Sequence, residues 1–305
     1  MRFIVADWGT SRFRAYRVEG ETILDEISSD EGVSALQTGQ HRDVFLRHCG
    51  EWLAAEPRLP VLLVGMVGSR EGWAMTPYVP CPAGPAEIAR GLVSVDLGQG
   101  RTGWIVPGLV DEPNGIDVDV MRGEETLALG SGIRDGLVCS PGTHPKWIAM
   151  RDGRVAHFCT YMTGEMYALL CDHSMIGRPA ADPEDQTGFD LGLDASERNR
   201  GPSDDKRVGL LHLLFAARAA VVAGRMSPNL LRPYLSGLLT GDELNGALSQ
   251  FGHPTSVTIL ADPPRAALYE RALARRGVET LTRSPREALL AGLARLLREG
   301  SIPPA

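Results

Sequence analysis

The sequence predicts an α/β protein of two domains, each a mixed sheet with flanking helices, with a cleft between them. Short apolar runs alternate with amphipathic stretches along the chain. The order strand, strand, strand, helix, strand, helix occurs twice, starting near residues 2 and 136. Each copy places a Gly-Thr turn after its first strand: Asp7-Trp8-Gly9-Thr10-Ser11 and Pro141-Gly142-Thr143-His144-Pro145-Lys146. The repeat lies in element order and turn position, because direct identity between the copies is negligible.

In the first copy, Phe3–Ala6 is an apolar run that suits a buried strand. Phe13–Val18 alternates apolar and polar residues, as a half-buried antiparallel strand does, and Glu19-Gly20-Glu21 turns it into Thr22–Ser28. Arg42–Ala55 then sets Val44, Phe45, His48 and Trp52 on one helical face, ahead of the buried strand Val61–Val64. In the second copy Leu137–Ser140 and Trp147–Met150 are strands, and Asp152-Gly153 is a hairpin turn into Val155–Thr160. A helix starts near Thr163. Asp262-Pro263 opens another that stops at Gly277, and Ser284-Pro285-Arg286-Glu287 caps the last one before Gly300. Gly123–Gly136 is the natural boundary, dividing the chain into 1–130 and 131–305. Pro179–Lys206 is polar and rich in Asp and Pro, and is expected as a surface excursion.

Composition bounds the function. Of 305 residues, 43% are hydrophobic and 23% charged, enough for a real core. A net charge of −7 argues against a nucleic-acid surface. The most apolar stretch, Leu210–Ala223, is broken by His212 and Arg218, so no membrane span is expected. Met1–Asp7 is too short for a signal-peptide core, and five widely spaced cysteines without a C-x-x-C pair suit a reducing cytoplasm. Cys171 and His173 fall short of a zinc signature and read as ordinary helix residues.

The paired turns carry the chemistry. A carboxylate after a buried strand, followed by glycine and hydroxyl residues, suits magnesium and phosphate: Asp7 for the metal, Gly9 for close backbone approach, Thr10 and Ser11 as donors. Lys146 after the second turn is placed to meet phosphate charge, or else is a strand-end lysine. Gly98-Gln99-Gly100-Arg101-Thr102-Gly103 formally matches G-x-G-x-x-G, but strand-like Trp104-Ile105-Val106 follows where a dinucleotide site needs a helix, so it reads as a hairpin loop. No P-loop and no nucleophile elbow are present. Arg122-Gly123-Glu124-Glu125-Thr126 offers an arginine and two carboxylates. Neighbouring helical residues point about 100° apart, so one of the two glutamates faces the ligand; Glu124 is the choice for accepting a hydroxyl proton. Gly65-Met66-Val67-Gly68-Ser69-Arg70-Glu71-Gly72-Trp73 leaves a buried strand where α/β proteins bind ligands, and with Pro77-Tyr78 it suits a substrate wall, with Trp73 in plain core as the other reading.

These segments, with Val120-Met121-Arg122-Gly123-Glu124-Glu125-Thr126, Met162-Thr163-Gly164-Glu165 and Ser236-Gly237-Leu238-Leu239-Thr240-Gly241, together resemble the 2-dehydro-3-deoxygalactonokinase family, with matches in order from residue 4 to about 295. The Met-Arg-Gly-Glu-Glu-Thr and Gly-Thr-His-x-Lys-Trp segments are its most specific marks. The resemblance implies an actin-like sugar-kinase fold of two ribonuclease-H-like domains closing over ATP and Mg2+. It implies transfer of the γ-phosphate to the 6-hydroxyl of 2-dehydro-3-deoxy-D-galactonate in galactonate catabolism. Gly237 and Gly241 would lie against the adenosine, and Arg122 and Arg14 match family positions suited to a substrate carboxylate. Three departures stand out: Tyr16 for the usual tryptophan, Pro145 for a small polar residue beside the second turn, and Ala261-Asp262-Pro263-Pro264 where the family turns with glycine.

The expectation is therefore a cytoplasmic ATP-dependent sugar-acid kinase, a monomer or homodimer with no nucleic-acid or membrane partner. Asp7 and Glu124 are its catalytic residues, with Asp7 as metal ligand. Gly9, Thr10, Ser11, Gly142, Thr143, His144, Lys146, Gly237 and Gly241 bind ATP. Arg14, Gly68, Ser69, Trp73, Tyr78 and Arg122 bind substrate. Two alternatives stay open: a kinase of another sugar or sugar acid on the same fold, and a nucleotide-switched regulatory ATPase, for which no spare extension is visible.

Overall fold

β1 (Arg2–Trp8) buries four successive residues, Phe3 to Ala6, because it lies inside a sheet covered on both faces. The computed structural model describes residues 1–113, 115–182, 186–199, 208–300 and 302. The chain continues through β2 (Phe13–Glu19), β3 (Thr22–Ser29), α1 (His41–Ala55), β4 (Val61–Gly65), β5 (Tyr78–Pro80), α2 (Pro85–Arg90), β6 (Val93–Gly98), β7 (Arg101–Ile105), β8 (Gly108–Asp111), β9 (Asp119–Met121) and α3 (Glu124–Gly130). The first sheet has the order β3-β2-β1-β4-β7-β6. β2 and β3 pair antiparallel beside β1, whereas β4 and β7 run parallel to it. β5, β8 and β9 form a small separate sheet.

The second half comprises β10 (Gly136–Ser140), β11 (Lys146–Arg151), β12 (Arg154–Thr160), α4 (Thr163–His173), α5 (Thr187–Arg198), α6 (Leu210–Val222), α7 (Pro228–Phe251), β13 (Ser256–Leu260), α8 (Pro263–Ala274), β14 (Glu279–Arg283) and α9 (Pro285–Glu299). Its sheet order is β12-β11-β10-β13-β14. The sheet order repeats: in both sheets the third, second and first strands of a meander lie side by side, and the next long strand joins beside the first. The expected element order does not, since among the described residues four helices, α4 to α7, stand between β12 and β13 where α1 alone stands between β3 and β4, and β5 follows β4 before α2.

Local chemistry agrees with the turns. Asp152 and Gly153 both take positive φ between β11 and β12. Gly98, Gln99 and Gly100 do so between the antiparallel strands β6 and β7, so the G-x-G-x-x-G match is a hairpin loop. The Ser284 hydroxyl accepts the Glu287 N–H at the start of α9.

Contacts divide the chain into two compact units. One comprises Met1–Val138, Ile148–Phe158 and the segment from Arg283 onward; the other comprises Cys139–Trp147 and Cys159–Thr282. In the first unit Trp8, Phe13, Phe45, Leu53, Leu63 and Ile105 form the centre of the core. There α9 clamps α3: a Cβ on Gly130 would stand 1.8 Å from the Ala288 carbonyl, and one on Gly292 2.0 Å from that of Thr126.

In the second unit the core gathers around Leu231, Leu235 and Leu238 of α7. The surface excursion expected over Pro179–Lys206 is corrected here. α5 occupies Thr187–Arg198 and buries Phe189, Leu193 and Ala195. Glycines one turn apart, Gly188 and Gly192, let its backbone touch α7, and that packing outweighs the polar composition on which the expectation rested. Residues 183–185 and 200–206 of that stretch lie outside the described residues.

Candidate active site

In the first unit, β1 and β4 are parallel neighbours with Trp8 opposite Gly65, so their carboxyl ends open together. Ligands of α/β sheets bind at such ends. Asp7 stands at this edge and pairs across the strands with Arg14, whose Nη2 lies 3.0 Å from Oδ2. Burial pushes the Asp7 carboxyl above its ordinary range, against the opposing pull of Arg14. Gly65 (φ +88°) is needed beside it, since a Cβ there would stand 3.0 Å from the Trp8 carbonyl.

The first Gly-Thr turn is closed by the Gly9 N–H donating to the Arg12 carbonyl at 2.9 Å. Val33 and Ser34 N–H groups hold the carbonyls of Gly9 and Thr10. A Cβ on Gly32 would stand 2.2–2.4 Å from the backbone of Thr10, Ser11 and Arg12, so the turn rests directly on that glycine. Thr10 and Ser11 remain exposed.

Arg122 is the best-defined cation of the unit. Its guanidinium carbon lies 4.5 Å from the centre of the Tyr78 ring, and it donates to the Thr76 hydroxyl and carbonyl. Gly68 admits it: a Cβ there would be 2.8 Å from Arg122 Nη1. The Arg122 main-chain N–H donates to Glu124 Oε2 at 3.2 Å. Thus Gly68, Tyr78, Arg122 and Glu124 come together as expected, with Thr76 added. Ser69 ends the one-turn helix Met66–Gly68 and donates to Glu71.

Trp73 goes elsewhere. It lies in an aromatic cluster with Trp8, His41 and Phe45, at centroid distances of 6.2–6.5 Å, backing the loop from inside. Glu125 is fully buried: it accepts from the Gly123 N–H at 2.6 Å and the Thr126 hydroxyl at 2.8 Å, and burial raises its carboxyl to about 7.

In the second unit, Gly164 at the start of α4 lets the helix settle on the second turn, a Cβ there falling 2.3 Å from the Gly142 carbonyl. The Glu165 N–H donates to the Thr143 carbonyl, and the Glu165 carboxylate sits 2.6 Å from His144 Nε2. Lys146 turns inward: it is 5% exposed and its ammonium donates to the His144 carbonyl at 2.9 Å, bracing the turn from beneath. Pro145 offers no N–H, and its carbonyl accepts from Tyr161.

A cavity of about 280 Å³ adjoins this turn, lined by Gly142, Thr143, Thr163, Gly164, Tyr167, Ser236, Leu239, Thr240, Arg265, Leu268 and Tyr269. The Ser236–Gly241 segment is helical and two-faced. Ser236, Leu239 and Thr240, spaced i, i+3, i+4, face the cavity. Gly237 and Gly241 instead meet α5: Cβ atoms there would fall 1.9 Å from the Phe189 carbonyl and 1.9 Å from the Ser196 hydroxyl. The two glycines set helix spacing, and their neighbours line the space. Beneath it lies Glu243, wholly buried, which the sequence reading missed. It accepts from Trp147 Nε1 at 2.8 Å, from the Tyr269 hydroxyl at 2.9 Å and from the Thr163 hydroxyl, and burial raises its carboxyl to about 7. Nothing short of the fold brings residues 147, 163, 243 and 269 together.

Fold and site define a class: an actin-like sugar kinase, a phosphotransferase with an alcohol acceptor. The same fold recurs, at 13% identity and a TM-score of 0.53, in the (R)-2-hydroxyglutaryl-CoA dehydratase component A of Acidaminococcus fermentans, matched over 99% of both chains. More narrowly, the chain belongs to the 2-keto-3-deoxy-galactonokinase family, whose model matches residues 7–296. It is 32% identical over 295 residues to the 2-dehydro-3-deoxygalactonokinase of Escherichia coli (strain K12), covering 96% of both chains. It is 33% identical to a Sinorhizobium meliloti protein solved as a candidate 2-dehydro-3-deoxygalactonokinase, with a TM-score of 0.84 over 97% of this chain and 98% of that one.

Membership in a kinase family implies ATP and a divalent cation. Among the described residues no three His, Cys, Asp or Glu side chains converge. Magnesium, however, is typically held by one or two carboxylates with phosphate oxygens and water, and the single partly open carboxylate of Asp7 fits that role. No helix among the described residues is long and apolar enough to cross a membrane.

Proposed function

We propose that the protein transfers the γ-phosphoryl group of ATP to the 6-hydroxyl of 2-dehydro-3-deoxy-D-galactonate. The acceptor side lies in the first unit. Arg122, held flat by Tyr78 and fixed by Thr76, presents a planar cation to the substrate carboxylate, and Arg14 adds a second positive charge. Gly68 keeps the space that Arg122 needs, and Ser69 supplies a hydroxyl beside it. Glu124 takes the proton of the attacking hydroxyl.

The nucleotide side lies in the second unit. Adenosine occupies the cavity walled by Ser236, Leu239, Thr240 and Tyr269. Gly142 and Thr143 receive phosphate oxygens at the cavity's turn, while His144 and Lys146 hold that turn in shape. Thr10 and Ser11 supply donors for the phosphate being transferred, and Gly9 lets the backbone approach it. Asp7 would hold Mg2+ bound to the phosphates, and the ion's chemistry there is neutralisation of their charge.

In the transfer, the acceptor oxygen forms a bond to the γ-phosphorus as the β–γ bridging P–O bond breaks. ADP leaves with that electron pair, and the hydroxyl proton passes to the Glu124 carboxylate. Positioning and charge neutralisation supply most of the rate in such reactions.

The observation that carries this reading is Arg122. One residue stacks its guanidinium on Tyr78 and holds Glu124 through its main-chain N–H, so a cation for an acidic acceptor and a proton acceptor are fixed together. Phosphorus and carbon NMR of the reaction mixture tests it. A phosphate ester coupled to C6 of the keto-deoxy acid is expected; an ester at another carbon, or release of inorganic phosphate alone, contradicts it.

A further inference from the structure

Glu243 is an odd residue to find in the heart of the second unit. A buried carboxylate is costly to desolvate, and apolar replacements of buried ions are often neutral or stabilising. Here the carboxylate is fully enclosed yet completely furnished with donors, since Trp147 addresses Oε1, Tyr269 addresses Oε2 and the Thr163 hydroxyl adds a third bond. Each donor belongs to a different element. Trp147 lies in β11 directly after the second Gly-Thr turn, Thr163 opens α4 against that turn, and Tyr269 lies on α8. Thr163 and Tyr269 are themselves walls of the 280 Å³ cavity.

The helix supplies the geometry. Ser236, Leu239, Thr240 and Glu243 follow one another at i, i+3, i+4 and i+7 on α7, so the stripe that lines the cavity ends in the buried carboxylate. From that position one side chain ties the strand leaving the turn, the helix resting on the turn and the opposite cavity wall to the same point of α7. An apolar side chain of the same volume would fill the space and leave the Trp147 N–H buried without an acceptor.

We infer that Glu243 is a positioning residue of the nucleotide subsite, setting the cavity walls through Trp147, Thr163 and Tyr269 without touching the ligand. The inference rests on the placement of adenosine in this cavity. It predicts a split in the kinetic constants: the KM for ATP moves, whereas the KM for the sugar acid does not.

The test uses the intact enzyme with ATP and the sugar acid varied in turn. Tyr269→Phe keeps the ring and removes one donor; the ATP KM is expected to rise roughly fivefold, the size of one lost hydrogen bond, with the sugar-acid KM unchanged within about twofold. Glu243→Met removes every acceptor and is expected to raise the ATP KM at least as far. Glu243→Gln restores part of the loss, because its amide oxygen still accepts from Trp147 and the two hydroxyls can reverse to accept from its NH2. An ATP KM within twofold of wild type in both Tyr269→Phe and Glu243→Gln overturns the inference, even if Glu243→Met fails to fold. Leu239→Trp separates this from the underlying assignment, since it fills the cavity. A raised ATP KM there, with Tyr269→Phe and Glu243→Gln both silent, sinks the positioning role alone; an unchanged one removes the nucleotide from the cavity and both readings with it.

Discussion

The guanidinium of Arg122 lies over the Tyr78 ring with its carbon 4.5 Å from the ring centre. Stacking leaves the planar fork oriented, and Gly68 leaves room for it, since a Cβ there would stand 2.8 Å from Nη1. Lysine has neither the plane nor the fork. Arg122→Lys is therefore expected to raise the KM for the sugar acid by about 10- to 100-fold, the range of one to two charged hydrogen bonds. The ATP KM should stay near wild type. Steady-state kinetics with each substrate varied checks this, and equal effects on both would disconnect Arg122 from the acceptor.

Glu124→Gln keeps the size of the side chain and removes its basicity. If Glu124 accepts the substrate proton, kcat falls by on the order of 10²-fold or more, with both KM values little changed. Turnover near the wild-type rate would move the proton acceptor to another group.

Glu125 gives a pH signature. Its carboxyl stands at about 7 in the folded protein against an ordinary 4.5. A raised value means that the folded state holds the proton more tightly than the unfolded one. The contribution to stability is therefore complete below about 4.5 and lost as pH rises through about 7. Glu125→Gln removes that dependence, so its melting temperature relative to wild type should rise between pH 5 and pH 8. The full shift corresponds to about 3 kcal/mol. A constant difference across that range would show that burial does not perturb this carboxyl.

Gly237 and Gly241 separate by what they touch. A Cβ at 237 would meet three backbone atoms of Phe189, its carbonyl oxygen at 1.9 Å; at 241 it would meet the Ser196 hydroxyl at 1.9 Å, which can rotate, and the Ser196 Cβ at 2.7 Å, which cannot. Gly237→Ala should cost about 3 kcal/mol or more, by forcing α5 from α7, and Gly241→Ala less. Denaturant midpoints measure both, and the reverse order would contradict the packing described.

Much of the fold was legible because its signals are local. The apolar runs at Phe3–Ala6 and Val61–Val64, the Asp152-Gly153 turn and the capped start at Ser284 each specify their element within a few residues. The grouping of Gly68, Arg122 and Glu124 was legible for a similar reason: they lie in short motifs at strand ends and a helix start. What escaped depends on distant neighbours. Trp73 resembles any loop aromatic until Trp8, His41 and Phe45 gather around it. The glycines of Ser236–Gly241 look like ligand-facing residues until α5 is seen against them, leaving Ser236, Leu239 and Thr240 toward the cavity. Glu243 carries no sequence signal, since its three donors lie 96, 80 and 26 residues away along the chain. Lys146 reads as a cation placed to meet phosphate charge, or else as a strand-end lysine, yet the fold buries it with its ammonium on the His144 carbonyl.

The most direct measurement is ATP-dependent turnover on a panel of acceptors, with ADP formation coupled to an optical readout. 2-Dehydro-3-deoxygalactonate should be phosphorylated at a kcat/KM well above that of any neutral aldose, because the proposed reading sets the Arg122 guanidinium against the substrate carboxylate. Activity on aldoses without activity on keto-deoxy acids would contradict the sugar-acid assignment at its root.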